Sequence, residues 1–274
     1  MLFLRKDPAV ISERLSSELA SCKYWLIDNK LSLHVGKTES LLFGSKRKLN
    51  KVSSFCIYCD GVPVERVYKV KYLGVNLNSD LDGSFHALTV LKASAGRLAF
   101  LYRQSNLLSR DLRQTLCASL IQPYIDNCCS SWYTGLSCNL KGRLDVLQRK
   151  MVRYVNGLDF RSHVDNTHLH ALSWLSVPDR VSYFKLMHVF RVRHNLAPAY
   201  LRPNFTSLTC THSHNTRGSD LNYRLSHEVS IAPNSFAFSA AKQWNALPNY
   251  LKNISHFGTF KRKVKEYFLA QYVS

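Results

Sequence analysis

Two groups of thiol and imidazole side chains are the first candidates for chemistry in this sequence. Cys56 and Cys59 have the Cys-x-x-Cys spacing of half a zinc site, but the alternation around them is typical of a strand and no matching second pair follows. Cys210, His212 and His214 place three soft ligands on a polar segment, without an evident fourth ligand. The sequence therefore predicts no metal site.

Two carboxylates close in sequence, Asp80 and Asp82, resemble those of a cation-binding loop. A calcium loop would begin with Asp and carry Glu where this sequence has Thr89. A two-metal site also needs carboxylates on rigid elements, whereas these lie in an Asn-Ser-Asp-Leu-Asp-Gly turn. The pattern predicts a polar turn that caps the following helix.

Positive charge is the stronger signal in the composition. The 274 residues contain 37 Lys and Arg against 18 Asp and Glu, a net charge of +19. Such a charge favours a polyanionic partner, and nucleic acid is the first candidate. The start of the chain becomes charged too early for a signal peptide, and no apolar run is long enough to span a membrane. We expect an intracellular protein, nuclear or cytoplasmic, with no membrane partner.

The first third of the chain mixes helix and strand patterns. Apolar residues spaced by three and four predict a helix over residues 10–29. Alternation across residues 31–43 predicts a short strand pair. The Asp60-Gly61 step between two apolar runs predicts a hairpin, and the run at 70–77 predicts a strand beside it.

After Gly83 the apolar period lengthens to that of helices, apart from a loop-rich stretch at 198–233. Helices are expected to begin after the capping residue Ser109 and near Pro178. The clearest helix covers residues 140–156. Its apolar stripe consists of Leu140, Leu144, Leu147, Met151 and Val155.

Cations on two of these helices are the candidate nucleic-acid-binding residues. On the helix at 140–156, Arg149 and Arg153 fall opposite the apolar stripe, and Arg143 and Lys150 lie to one side. The helix can therefore pack and still present four cations. A final helix adds Lys261, Arg262 and Lys263. Cations interleaved with aromatic residues suit tracking of a nucleic-acid backbone without sequence readout.

Short motifs occur in a fixed order along nearly the whole chain. The first is Asn-Lys-Leu-Ser-Leu-His-Val-Gly-Lys-Thr-Glu at 29–39, with Leu-Phe at 42–43, and the second is Tyr-Leu-Gly-Val at 72–75. Further downstream stand Leu147-Gln148-Arg149-Lys150 with Arg153, Thr216-Arg217, Trp244-Asn245-x-Leu247-Pro248 and Phe260-Lys261. In this combination they resemble the C-terminal part of reverse transcriptases of non-LTR, LINE-type retrotransposons.

The resemblance implies an α+β, mostly helical fold in three parts. Residues 1–78 would be a partial palm with a primer-grip-like hairpin. Residues 79–157 would form a helical thumb. Residues 158–274 would form a C-terminal region, mostly helical, that contains the loop-rich stretch.

The resemblance also implies roles for individual residues. Lys37 matches the lysine that donates a proton to departing pyrophosphate, which is general acid catalysis within a complete enzyme. Tyr72, Leu73 and Gly74 would position the primer end, where a glycine lets the backbone approach sugar and phosphate closely. The implied partners are RNA, an RNA–DNA hybrid or DNA.

One departure from the family bears on activity. Its Tyr-x-Asp-Asp strand would lie just before Met1, and no Asp-Asp pair occurs in the chain. Phosphoryl transfer in this family relies on metal ions held by those carboxylates. We therefore expect no cofactor in this chain, Mg²⁺ only in a complete enzyme, and no polymerisation by the chain alone.

Three interpretations stay open at this point. The chain is an inactive retroelement remnant that binds nucleic acid, a portion of an active reverse transcriptase, or an element fragment reused as a protein-interaction module. Genomic sequence upstream of Met1 separates the second interpretation from the others.

Overall fold

A computed structural model describes most of the chain. The described residues are 7–52, 55–208, 221–225 and 235–273. They form an α+β, mostly helical fold, in which small sheets precede a long series of helices. The chain divides into two units, Met1–Phe85 and His86–Ser274. Within the described ranges, none of the helices has the length and apolar character needed to cross a membrane.

The first unit combines a long helix with short strands. Its elements are α1 (Pro8–Asp28), β1 (Glu39–Leu41), α2 (Lys46–Leu49), β2 (Ile57–Cys59), β3 (Val62–Val67), β4 (Lys69–Tyr72) and β5 (Val75–Asn78). Strand β3 is central in a three-stranded sheet, parallel to β1 and antiparallel to β2. Ile11, Leu15 and Leu19 of α1 pack with the apolar residues of this sheet. The helix predicted over 10–29 is confirmed.

Two tight turns set the strand pairing. Asp60 and Gly61 have φ values of 51° and 79°, as a two-residue hairpin turn with both φ positive requires, so the hairpin predicted here is confirmed. Leu73 and Gly74, with φ of 46° and 85°, reverse the chain between β4 and β5. The single strand that the apolar pattern predicts over 70–77 was wrong, because this left-handed pair folds the run back on itself. A hairpin is present there, as the resemblance implies.

The predicted strand pair over 31–43 was also wrong. Residues 31–34 have no regular structure, and Val35–Lys37 is a 3-10 helix. Strand β1 pairs with β3 instead of with the segment before it. Leu33 and Val35 alternate as strand residues do, yet they pack against the core of this unit from irregular backbone and from the 3-10 helix, respectively.

The acidic turn at 78–83 caps a helix, as the sequence predicts. The next helix, α3 (Ser84–Arg103), follows it directly. Asp82 Oδ1 accepts hydrogen bonds from the Ser84 amide at 2.9 Å, the Ser84 hydroxyl at 2.8 Å and the Asn78 amide group at 2.8 Å. Burial raises the pKa of Asp82, but these hydrogen bonds outweigh it and lower the pKa overall.

Helices make up the second unit. After α3 come α4 (Arg110–Leu120), α5 (Gln122–Asp126), α6 (Cys129–Trp132), α7 (Cys138–Asn156), α8 (Asn166–Ala171), α9 (Val177–Arg193), α10 (Phe236–Ala246), α11 (Asn249–Lys252) and α12 (Phe257–Ala270). Ser109 caps α4 and Pro178 lies in the first turn of α9, as predicted. Residues on both sides of position 157 belong to this unit.

Aromatic rings form the centre of the second unit. Phe190 of α9 stacks on Phe260 of α12 with ring centroids 4.4 Å apart, and Trp244 of α10 lies 5.7 Å from Phe260. All three side chains are fully buried. Rings of this size contribute much of the apolar area that a core removes from water, so α9, α10 and α12 depend on one another.

A lysine lies inside this unit and has no carboxylate partner among the described residues. Lys185 of α9 is 2% exposed, and its ammonium group donates to the hydroxyls of Thr134 at 2.5 Å and Ser239 at 2.9 Å. Burial lowers the pKa of Lys185 to about 8 from its usual 10.5. Keeping this side chain charged therefore costs free energy at neutral pH.

We predict that Lys185→Met stabilises the protein at pH 7 by about 1 to 3 kcal/mol, since apolar replacement of a buried charge is often favourable. Between pH 8 and 10.5 the unfolded wild type binds more protons than the folded one, so its stability gains from rising pH. The advantage of the variant should shrink at pH 9 in urea unfolding experiments. Lys48→Met, at an exposed site, is the control. A variant less stable than wild type at both pH values contradicts the prediction.

Candidate nucleic-acid interface

Helix α7 carries four of the candidate cations, and its ends are well defined. Ser137 Oγ accepts a hydrogen bond from the Leu140 amide at 3.4 Å, which caps the first turn. Gly157 ends the helix in a left-handed conformation with φ of 65°. The predicted stripe from Leu140 to Val155 is buried throughout.

A buried glutamine sets the rotation of α7. Gln148 donates from Nε2 to the Leu175 carbonyl at 2.8 Å, and its Oε1 accepts from the Val177 amide at 3.1 Å. Both ends of its amide are therefore used by the segment that begins α9. Because α7 cannot turn about its axis without breaking these bonds, the direction of its cations is set.

The four cations of α7 do not share one environment. Arg143, Lys150 and Arg153 line a groove between α3 and α7. Arg149 instead lines a smaller pocket together with Asp145 and residues of α8. Arg149 and Arg153 both lie away from the buried stripe, but they line different surfaces, because residues that follow Gly157 pack along the helix between them.

Arg153 has a structural contact that its spacing did not indicate. Its Nε donates to the Ser162 carbonyl at 2.9 Å, and the side chain is half-buried. This bond fastens the segment that follows α7. Arg143, Arg149 and Lys150 are exposed.

The groove between α3 and α7 has a volume of about 910 Å³. Its floor is apolar, and Tyr102 and Phe160 form part of its wall. The floor residues are Leu88, Leu91, Ala95, Leu98, Val146 and Leu147. Lys92 joins the cations of α7 at its rim, and none of the described residues that line it is acidic. Neither Lys92 nor Phe160 was among the residues that the sequence predicts for a binding site.

The cations of the final helix differ in their neighbours. Lys261, Arg262 and Lys263 are all exposed on α12. Glu266 lies 2.7 Å from Lys263 and 3.9 Å from Arg262, and the hydrogen bond from Lys263 lowers the pKa of Glu266. This carboxylate offsets part of the positive charge that the sequence predicted for α12.

The remaining site candidates lie in the first unit. Lys37 is exposed at the end of the 3-10 helix before β1, and the 72–74 turn is the tip of the β4–β5 hairpin. Tyr72 is 62% and Leu73 83% exposed. A leucine with positive φ is strained, and its 83% exposure shows that it packs little against the described residues.

The candidate thiol and imidazole ligands lie partly inside and partly outside the described residues. Cys59 is buried in β2 and Cys56 half-buried before it. In the described ranges, no three His, Cys, Asp or Glu side chains come together as a metal site requires. Cys210, His212 and His214 lie outside the described residues. The Thr216-Arg217 motif lies outside them too.

Comparison with known proteins finds a similarity over about half of the chain. The chain is 27% identical over 150 residues to a Drosophila melanogaster protein named as a probable RNA-directed DNA polymerase from the transposon X-element. The match covers 53% of this chain and 16% of the relative. No family model matches the chain, and no solved structure matches it. The similarity supports a relationship to reverse transcriptases.

The contact of Arg153 leads to a stability prediction. We expect Arg153→Met to lower the free energy of unfolding by about 1 to 2 kcal/mol, because it leaves the Ser162 carbonyl without this charged donor. Arg149→Met, at an exposed position on the same helix, should change it by less than about 0.5 kcal/mol. Urea unfolding of the two variants tests this, and equal effects would contradict it.

Proposed function

We propose that this chain is the C-terminal part of a retrotransposon RNA-directed DNA polymerase and binds RNA or an RNA–DNA hybrid with little sequence preference. The observation that carries the proposal is the groove beside α7, whose cations face outward while the opposite side of the helix is buried. No carboxylate of the described chain forms an ion pair with Lys92, Arg143 or Lys150. The similarity to a transposon polymerase supports the same class of partner.

In this proposal the two units have different tasks. The first unit is the end of the palm, and the turn of the β4–β5 hairpin contacts the primer end. The exposure and strain of Leu73 support such a contact. The helices around α7 act as the thumb and hold the nucleic-acid backbone. Lys37 acts as general acid only in a complete enzyme, where Mg²⁺ is bound by its aspartates.

A second candidate function is supported by the apolar floor of the groove. An apolar channel between two helices is also the kind of surface that receives an amphipathic helix of another protein. A fragment reused as a protein-interaction module would employ it in that way. The absence of acidic side chains among the described lining residues favours nucleic acid.

The salt dependence of binding tests the proposal. Each phosphate contact releases condensed counterions and contributes about 0.7 to 0.9 to the slope of log affinity against log salt. We expect Arg143→Gln with Lys150→Gln to reduce the slope by about one to two. Fluorescence anisotropy with labelled RNA and with an RNA–DNA hybrid, over a range of salt, measures it.

The matched control is Lys46→Gln with Lys48→Gln, which removes the same charge from exposed positions of the first unit. It should change the slope much less. If both double variants lower the slope equally, the binding is a diffuse attraction between the positive protein and a polyanion. No binding near physiological salt would contradict the proposal and favour the protein-interaction module.

A separate prediction concerns catalysis. We expect no nucleotide incorporation by the purified chain with a primed template and Mg²⁺ or Mn²⁺, because its sequence has no Asp-Asp pair to hold the two metal ions. A primer-extension assay on sequencing gels measures this. Incorporation that disappears in Lys37→Ala would show that the chain polymerises by itself.

A further inference from the structure

We infer that the groove between α3 and α7 receives unpaired bases, so that the chain binds single-stranded nucleic acid in preference to a duplex. The inference rests on the proposed nucleic-acid binding and adds to it the form of the ligand. It is carried by three features of the groove: its apolar floor, the charge of its rim and the two aromatic rings of its wall.

The shape and polarity of the groove suit bases rather than phosphates. Its floor consists of leucine, alanine and valine side chains, and it is a channel of about 910 Å³. Phosphate oxygens gain nothing from such a floor, whereas the flat face of a base is largely apolar. In a duplex the bases are stacked and paired inside the helix. Only a strand whose bases are unpaired can turn them into the channel.

The rim provides the charge that the backbone of such a strand requires. Lys92 lies on α3, and Arg143 and Lys150 lie on α7, so cations stand on both helices that form the groove. All three are exposed. A strand lying along the groove therefore meets cations on both sides while its bases point to the floor. Single-strand binding sites likewise track the backbone with cations and offer aromatic rings on which bases stack.

Two aromatic rings stand at the groove in defined positions. The Tyr102 hydroxyl donates to the Lys150 carbonyl at 3.1 Å, and its ring meets that of Tyr154 edge to face at 5.0 Å. Phe160 is 74% exposed and lies in the segment that Arg153 fastens through Ser162. The Arg161 guanidinium lies over one face of the Phe160 ring at 5.0 Å. A phenylalanine this exposed contributes little to folding, and its other face can stack on a base.

Substitution of Phe160 tests the inference, and α3 offers a matched control. Phe100 is also exposed, at 53%, and like Phe160 it has an arginine near its ring, but it does not line the groove. We expect wild type to bind an unstructured RNA of about twelve nucleotides more tightly than an RNA–DNA hybrid of the same length. Phe160→Ala should weaken RNA binding about tenfold and leave hybrid binding nearly unchanged. Phe100→Ala should change neither.

A second measurement reports on the base directly. The same RNA with 2-aminopurine in place of one adenine should change its fluorescence on binding to wild type and to Phe100→Ala, and much less with Phe160→Ala. Thermal unfolding of each variant confirms that the fold is retained.

Two negative outcomes are distinguishable. If RNA and hybrid bind equally well and Phe160→Ala behaves as Phe100→Ala does, the inference is overturned while the proposed nucleic-acid binding stands, and a protein helix becomes the better occupant of the groove. If wild type binds neither ligand, the proposed function itself fails.

Discussion

Burial of the apolar stripe of α7 is the constraint on which the candidate interface depends. Leu144 and Val155 are fully buried, and Gln148 connects the same face to the backbone that starts α9. When one face of a helix is buried and the helix cannot rotate, the directions of its other side chains are determined. Arg143 and Lys150 are therefore directed by leucine packing and one amide, whereas Arg153 is also held by its bond to the Ser162 carbonyl.

One motif that carries the resemblance to reverse transcriptases is a packing motif. In Trp244-Asn245-x-Leu247-Pro248, Trp244 is buried and donates to the Leu221 carbonyl at 2.9 Å. The Asn245 side chain pairs with both the amide and the carbonyl of Tyr223, at 2.8 Å each. The motif thus attaches residues 221–225 to α10.

Electrostatics and packing are coupled elsewhere in the second unit. Tyr272, beyond α12, accepts a hydrogen bond from the Ser176 amide at 2.8 Å and donates to Asp179 at the start of α9. Burial, followed by the bond to Asp179, raises the pKa of Tyr272 to about 12. This contact connects the end of α12 to the helix that also packs against α7, so the last segment of the chain helps to hold the core behind the groove.

The sequence by itself determined what depends on neighbouring residues: the helices over 10–29 and 140–156, the turn at Asp60-Gly61, the Asp82 cap and the excess of positive charge. Local spacing was sufficient there because each of these features is formed within a few residues. Only the tertiary structure decided that Arg153 binds the Ser162 carbonyl and that Phe160 stands beside a groove lined by α3 and α7. The groove in particular joins side chains more than fifty residues apart, from Lys92 to Lys150. Helical period shows which residues share a face but not which other element comes to lie against that face, because packing between distant segments decides it.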